Sequence, residues 1–179
     1  EFSWKNRFCY DYVMLEAFES LPDTAKLWVF MLERPLTQSE ASLVRERLSE
    51  FLKSWKAHGD KVLGSFEIQY DRFILVAANE SVTEVSGCSI DGLFRHIREV
   101  IANIGCPMSD NSQVYFVGDE GDVASMSRTE FARFAKSGRI SESTHVFDNT
   151  VQTLGAVRYG NWEKEFRDSW HARAFPLSD

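Results

Sequence analysis

Apolar and polar positions along this chain follow two different periods, and the switches between them mark out its elements. Residues 27–32, LWVFML, are an unbroken apolar run rich in β-formers, bounded by Pro22-Asp23 before and Arg34-Pro35 after. Such a run predicts a strand buried on both faces. Thr37 and Glu40 stand at capping-box spacing, and Ala41, Val44, Leu48, Phe51, Leu52 and Trp55 then recur at helical intervals. This predicts an amphipathic helix running to Gly59, with His58 in its last turn and the glycine as the left-handed cap. Residues 62–69 alternate, with Val62, Gly64, Phe66 and Ile68 on one side, as a half-exposed strand does. Tyr70-Asp71-Arg72 predicts a turn into FILVAA, residues 73–78, a second strand apolar on both faces. From Ile90 onward Leu93, Phe94, Ile97, Val100, Ile101 and Ile104 define a second amphipathic helix, stopped by Gly105 and Pro107.

The order strand, helix, strand, strand, helix is an α+β pattern. With Gln113–Val117 as a closing strand it becomes the βαββαβ motif of ferredoxin-like antiparallel sheets. The predicted organisation is an aromatic segment over residues 1–26, a ferredoxin-like core over 27–111 and a small unit over 112–179. Two strands apolar on both faces need cover on the side the helices leave open. Phe2, Trp4, Phe8, Tyr10 and Tyr12 form one candidate lid, and Trp162, Phe166 and Trp170, at i, i+4, i+8, form another.

After the second helix, VYFV, GDEGD and VASM read as a hairpin, Ser127 and Glu130 box a short helix, FARFAKSG, and THVF reads as a strand. This ββαβ order and the residues VYFV…SRTEFARFAKSGRISESTHVF, with Trp162 beyond, loosely resemble the GYF-like domains of bacterial proteins. The resemblance spans about fifty residues and implies peptide binding, although the aromatic signature with which eukaryotic GYF modules grip proline-rich peptides is missing.

Composition narrows the function classes. The 179 residues carry 27 acidic against 20 basic side chains, a formal charge of −7, so phosphate backbones are repelled and nucleic acid is not expected as a partner. No uncharged apolar run reaches the roughly 18 residues a membrane span needs, and no basic segment leads into an apolar one, so a soluble, cytoplasmic protein is expected. The three cysteines, Cys9, Cys88 and Cys106, form no CxxC pair and no zinc-ligand spacing. Reduced thiols, no metal and no cofactor are expected. P-loop, dinucleotide-binding, nucleophile-elbow and HExxH motifs are absent.

Two segments could carry chemistry. In SGCSID, Cys88 falls at the predicted start of the second helix, where unpaired N–H groups favour a thiolate, and Ser86, Gly87 and Ser89 could cradle an anion. Plain capping by the serines, with Asp91 in the first turn, competes with that reading. In SWKAHG, Trp55 and His58 close the first helix. A βαββα topology brings the end of the first helix and the start of the second to one sheet edge. Cys88 as nucleophile, His58 as base and Asp91 as orienting carboxylate would then be neighbours. If Gln113–Val117 were the fourth strand, Asp119, Glu120 and Asp122 would open at the same edge.

The segments WVFMLERPLTQSE, FLKSWKAHG, RFILVAANE, SGCSID, VFDNTVQT and SWHARAF resemble a family of small uncharacterised bacterial proteins often labelled "ABC transporter ATPase", over residues 27–175. The family brings no established activity with it, and the two nucleotide-binding loops that an ABC ATPase requires are missing from this sequence. The sequence therefore predicts a binding or interaction module that presents SWKAHG and SGCSID to a protein, peptide or small-molecule partner, with a homodimer compatible. A Cys88-dependent hydrolase or transferase is the alternative.

Overall fold

The computed structural model describes residues 17–178. They form an α+β fold with antiparallel sheets. The first sheet holds β1 (Lys26–Met31), β5 (Phe73–Asn79) and β4 (Leu63–Gln69), in the order β1-β5-β4. Helices α1 (Gln38–Ser54) and α2 (Gly87–Asn103) lie on one face. Local chemistry places both. Thr37 and Glu40 close a capping box on α1, and Ser86 with Ser89 does the same on α2. At the far end of α2, Gly105 at φ +63° ends the helix as its sequence predicts.

Gln113–Val117 forms β6, yet it does not close the first sheet. It pairs with β7 (Val123–Ser127) and β8 (His145–Phe147), and β9 (Glu163–Glu165) completes a second sheet in the order β7-β6-β8-β9. The ferredoxin-like βαββαβ closure is therefore not made. Only Met108 reaches β1 where a fourth strand would begin, as an isolated antiparallel bridge to Leu32.

Side-chain alternation explains the stacking of the two sheets. Even-numbered residues of β1 and β5, such as Phe30, Ile74 and Val76, pack with Val44, Leu48, Leu93 and Ile97 of the helices. Odd-numbered residues, such as Leu27, Met31, Phe73 and Leu75, pack with Tyr115, Phe147, Leu154 and Trp162. The opposite face of the second sheet, through Val114, Phe116 and Val146, is covered by Phe131 of α3 (Arg128–Lys136) and by Phe166 and Phe175. The layers run helices, sheet, sheet, helices. The cover that the doubly apolar strands require is thus chiefly a second sheet. Trp162 contributes to it, but Phe166 and Trp170 belong to the far layer. Their i, i+4, i+8 spacing reflects a chain that crosses through β9, a 3-10 turn and the short helix α5 (Trp170–Ala174), not one continuous helix. The N-terminal aromatics lie outside the described residues.

The sheets are joined by one buried cation. Arg72, 7% exposed, donates from Nε to Leu32 O at 3.3 Å, from Nη1 to Val123 O, and from Nη2 to Glu33 O and to Ser125 Oγ, the last at 3.1 Å. Its guanidinium lies 5.4 Å from the ring centre of Tyr115, whose hydroxyl also donates to Leu32 O. Next to it, Tyr70 and Asp71 both take positive φ, +54° and +51°, as the central pair of a type I′ turn closed by Arg72 N–H on Gln69 O, with Arg72 the third loop residue before the Gln69–Phe73 pair. Neither is glycine, so the turn is held from outside. Tyr70 packs against Phe147 and donates to Glu163, whose other oxygen meets His145 at 3.0 Å. A second clasp joins Asp23 to Arg158 and Tyr159. It closes over Gly155, where a Cβ would stand 3.0 Å from the Asp23 carbonyl oxygen.

Truncating Arg72 strands several buried carbonyls at once. Arg72→Met is expected to lower unfolding free energy by about 3 kcal/mol or more, and Arg72→Lys to rescue little because one ammonium cannot span both sheets. Denaturant unfolding measures both. His171 supplies a pH dependence. It is 1% exposed among Trp170, Phe131 and Phe175, and burial pushes its pKa down to about 4. As pH falls below the ordinary value near 6.5, the unfolded chain takes up a proton that the native state refuses. The His171 contribution is expected to be flat above pH 7 and to drop by up to about 3 kcal/mol between pH 6.5 and 4. Comparison of ΔG against pH with His171→Gln isolates this slope from that of the carboxylates, which titrate lower.

Candidate functional site

At one end of the first sheet the two singled-out segments do meet. α1 stops at Ser54, with Trp55 extended at φ −67° and ψ 125°, so the helix ends earlier than its apolar spacing predicts. The reason is the indole. Trp55 is buried and donates from Nε1 to Ser89 O at 3.0 Å, across to the first turn of α2. Gly64 faces the same ring, and a Cβ there would lie 3.0 Å from Trp55 Cζ3. The chain then makes a small hairpin of β2 (Lys56–Ala57) and β3 (Asp60–Lys61), with His58 and Gly59 both at positive φ as its two-residue turn. His58 is therefore a hairpin tip, not a helix cap. The same His-Gly pair serves either role, because both require left-handed backbone.

The chemistry-bearing side chains here are spread apart in function. Cys88 and Asp91 are exposed on α2, and His58 is exposed on its turn. No hydrogen bond or ion pair among the described residues joins any two of the three. Asp91 lies beyond the first turn of α2, which holds no acidic residue. Ser86 and Ser89 spend their hydroxyls on each other's backbone N–H groups, and neither hydroxyl reaches the N–H of Gly87 or Cys88. The acidic loop is elsewhere. Asp119, Glu120 and Asp122 sit in the β6–β7 hairpin, next to Val123, whose carbonyl Arg72 holds at the start of β5. The start of α2 follows the other end of β5. No group of three or more His, Cys, Asp or Glu that could hold a metal occurs among the described residues.

A second site has more room. β1 is the edge of its sheet, and its open side is covered only at the ends. Leu27 N–H donates to Gln152 O beside an antiparallel bridge of Lys26 to Thr153. At the other end Met31 O accepts from Ser109 N–H, and Glu33 N–H donates to Pro107 O. Leu32 N–H donates to Arg72 O on the β5 side, so even-numbered residues pair with β5 and odd-numbered ones face outward. Between the two covered ends, Leu27 C=O, both groups of Val29 and Met31 N–H have no partner among the described residues. From Leu27 to Met31 the gap spans about 13 Å, with room for three residues of extended chain between its ends.

This gap opens into a cavity of about 650 Å³. Phe94 and Arg98 of α2 form one wall, and residues 149–152 form the other. Phe94 packs on Phe30 with ring centres 4.9 Å apart, and Arg98 lies one helical turn further on. The opposite wall is braced. Asp148 accepts from the backbone and hydroxyl of Thr150, and Asn149 Oδ1 accepts from Trp162 Nε1 at 2.9 Å. Val29 and Arg98 escaped the sequence reading. The available signal was the polar runs SDNS and DNT, turn formers that cannot continue a strand beside LWVFML.

Comparison of the chain with family models, with curated proteins and with solved structures finds no match. No helix among the described residues is long and apolar enough to cross a membrane.

The lock between the two segments resides in Trp55. Trp55→Phe, which removes the indole donor while Ser89 O keeps its intrahelical partner, is expected to cost about 0.5–1.5 kcal/mol in denaturant unfolding. Cys88→Ala, at an exposed position, is expected to stay within about 0.5 kcal/mol of the parent.

Proposed function

We propose that the protein is a binding module that takes a short extended peptide by strand addition in the groove along β1. The observation that carries this reading is the interrupted edge. Val29 offers a donor and an acceptor in strand register, between two antiparallel stubs that set the direction and length of an incoming segment. The groove volume suits a few residues, and its walls are held by internal hydrogen bonds, so little ordering is required on binding. The SWKAHG and SGCSID segments serve the module as a buttress. Trp55 fixes the start of α2, the helix that carries the groove wall.

Two measurements test the proposal. In hydrogen exchange on the free protein, the Trp28 and Phe30 amides, which pair with β5, are expected to exchange at least about a hundredfold more slowly than Val29. Equal protection of Val29 would show the edge to be covered already. In selection from a random peptide library, the parent protein is expected to enrich binders and Val29→Pro to lose them. A proline at 29 removes the outward donor and part of the Val29 packing but leaves the β5 ladder intact. Enrichment that survives Val29→Pro would place binding elsewhere.

A further inference from the structure

We infer that the groove along β1 selects a segment with an acidic side chain at the first of its three positions, read by Arg98; this rests on the strand-addition reading above. Both stubs run antiparallel to β1, so the incoming segment enters opposite Phe30 and leaves opposite Trp28. Alternation places its first and third side chains on the helix side of the sheet and its second on the side of Val29 and Val151. The first side chain therefore arrives against Phe30 and Phe94, beside Arg98.

Arg98 is the only cation lining the cavity among the described residues, and it has no ion pair or hydrogen bond there. The one carboxylate in the lining, Asp110, stays charged, held below the usual carboxylate range by hydrogen bonds from the Ser112 side chain and backbone, but it accepts from Ser112 N–H at 2.8 Å and makes no ion pair with Arg98. Lys26, at the other end of β1, is drawn to Glu80 and lies over the Trp28 ring. A free guanidinium at the entry end, with apolar rings beneath it, matches a carboxylate on the first residue. The second position faces Val29 and Val151 and suits a small apolar residue, and the third lies over Trp28 and suits an apolar or aromatic one. The recognised pattern is acidic, small apolar, apolar.

The test is selection from a library of random tripeptides displayed in a fixed flanking sequence, on the parent, Arg98→Glu and Val29→Pro forms of the full chain, each checked for its melting transition. The expected result is enrichment of Asp or Glu at the first position by the parent and of Lys or Arg by Arg98→Glu. Arg98→Gln is expected to weaken a parent-selected peptide about tenfold. If binders are enriched and lost in Val29→Pro but show no charge preference and are unmoved by Arg98→Glu, strand addition stands and the role of Arg98 is overturned. If the parent enriches nothing, or Val29→Pro keeps the same binders, both fall. Should Val29→Pro fail to fold, the Val29 amide shift on titration with a parent-selected peptide takes its place, and an unmoved resonance overturns both.

Discussion

A charged guanidinium buried between two sheets, with carbonyls and a tyrosine ring in place of a carboxylate, is the constraint on which the arrangement of this molecule depends. Arg72 leaves the hairpin turn at the start of β5 and holds the end of β1 through Leu32 and Glu33, and the start of β7 through Val123 and Ser125. Dispersion and hydrophobic burial bring the odd-numbered faces of β1 and β5 against Tyr115, Phe147 and Trp162, but those forces are not directional. The hydrogen bonds of Arg72 are directional, and they fix how one sheet sits on the other. Its backbone also belongs to the turn whose Tyr70 and Asp71 are held at positive φ, so the polar joint and the strained turn support each other.

The groove is a consequence of that joint. With the sheets locked, two segments arrive at the edge of the first, one leading from α2 into β6 and the other leading from β8 to α4 (Leu154–Arg158), and each makes a short antiparallel contact at the edge of β1. A regular fourth strand would have closed the edge. Here the chain departs after Ser109 to build β6, and β1 is left with partners at both ends and none in its middle. Edge strands are commonly blunted by charge, proline or a covering loop. This one is shortened by two stubs, so that it offers too little edge for sheet-to-sheet association while keeping a defined gap.

How much of this was legible in the sequence varied with the range of the interactions involved. The capping boxes at Thr37 and Ser127 and the Gly105 stop after α2 are signals spanning a few residues, and each stands where its residues predict. The sheet to which β6 belongs could not be read, because a four-residue run apolar on both faces fits the centre of either sheet. His58-Gly59 satisfied a helix cap and a hairpin turn equally, and only the reach of Trp55 to Ser89 decides between them. Arg72 looked like a turn residue. Its burial depends on carbonyls supplied from β7, distant in the chain. The groove had no sequence signature of its own, since recognising it requires knowing that LWVFML lies at an edge.

The stacking of the two sheets also imposes an order on the birth of the molecule. The chain emerges from its N-terminus, so the first sheet and its two helices can assemble while Leu27, Met31, Phe73, Leu75 and Ala77 still face water, their cover not yet made. Without Tyr115, Phe147, Leu154 and Trp162 that half would present an open apolar face, and Arg72 would have only the carbonyls of its own sheet to bond. Of the contacts made to the outer edge of β1, those from Gln152 and Thr153 come from furthest along the chain, and they complete the groove. The cavity beside β1 thus has its full set of walls only once the whole chain has folded, and an intact groove is itself the mark of a correctly closed molecule.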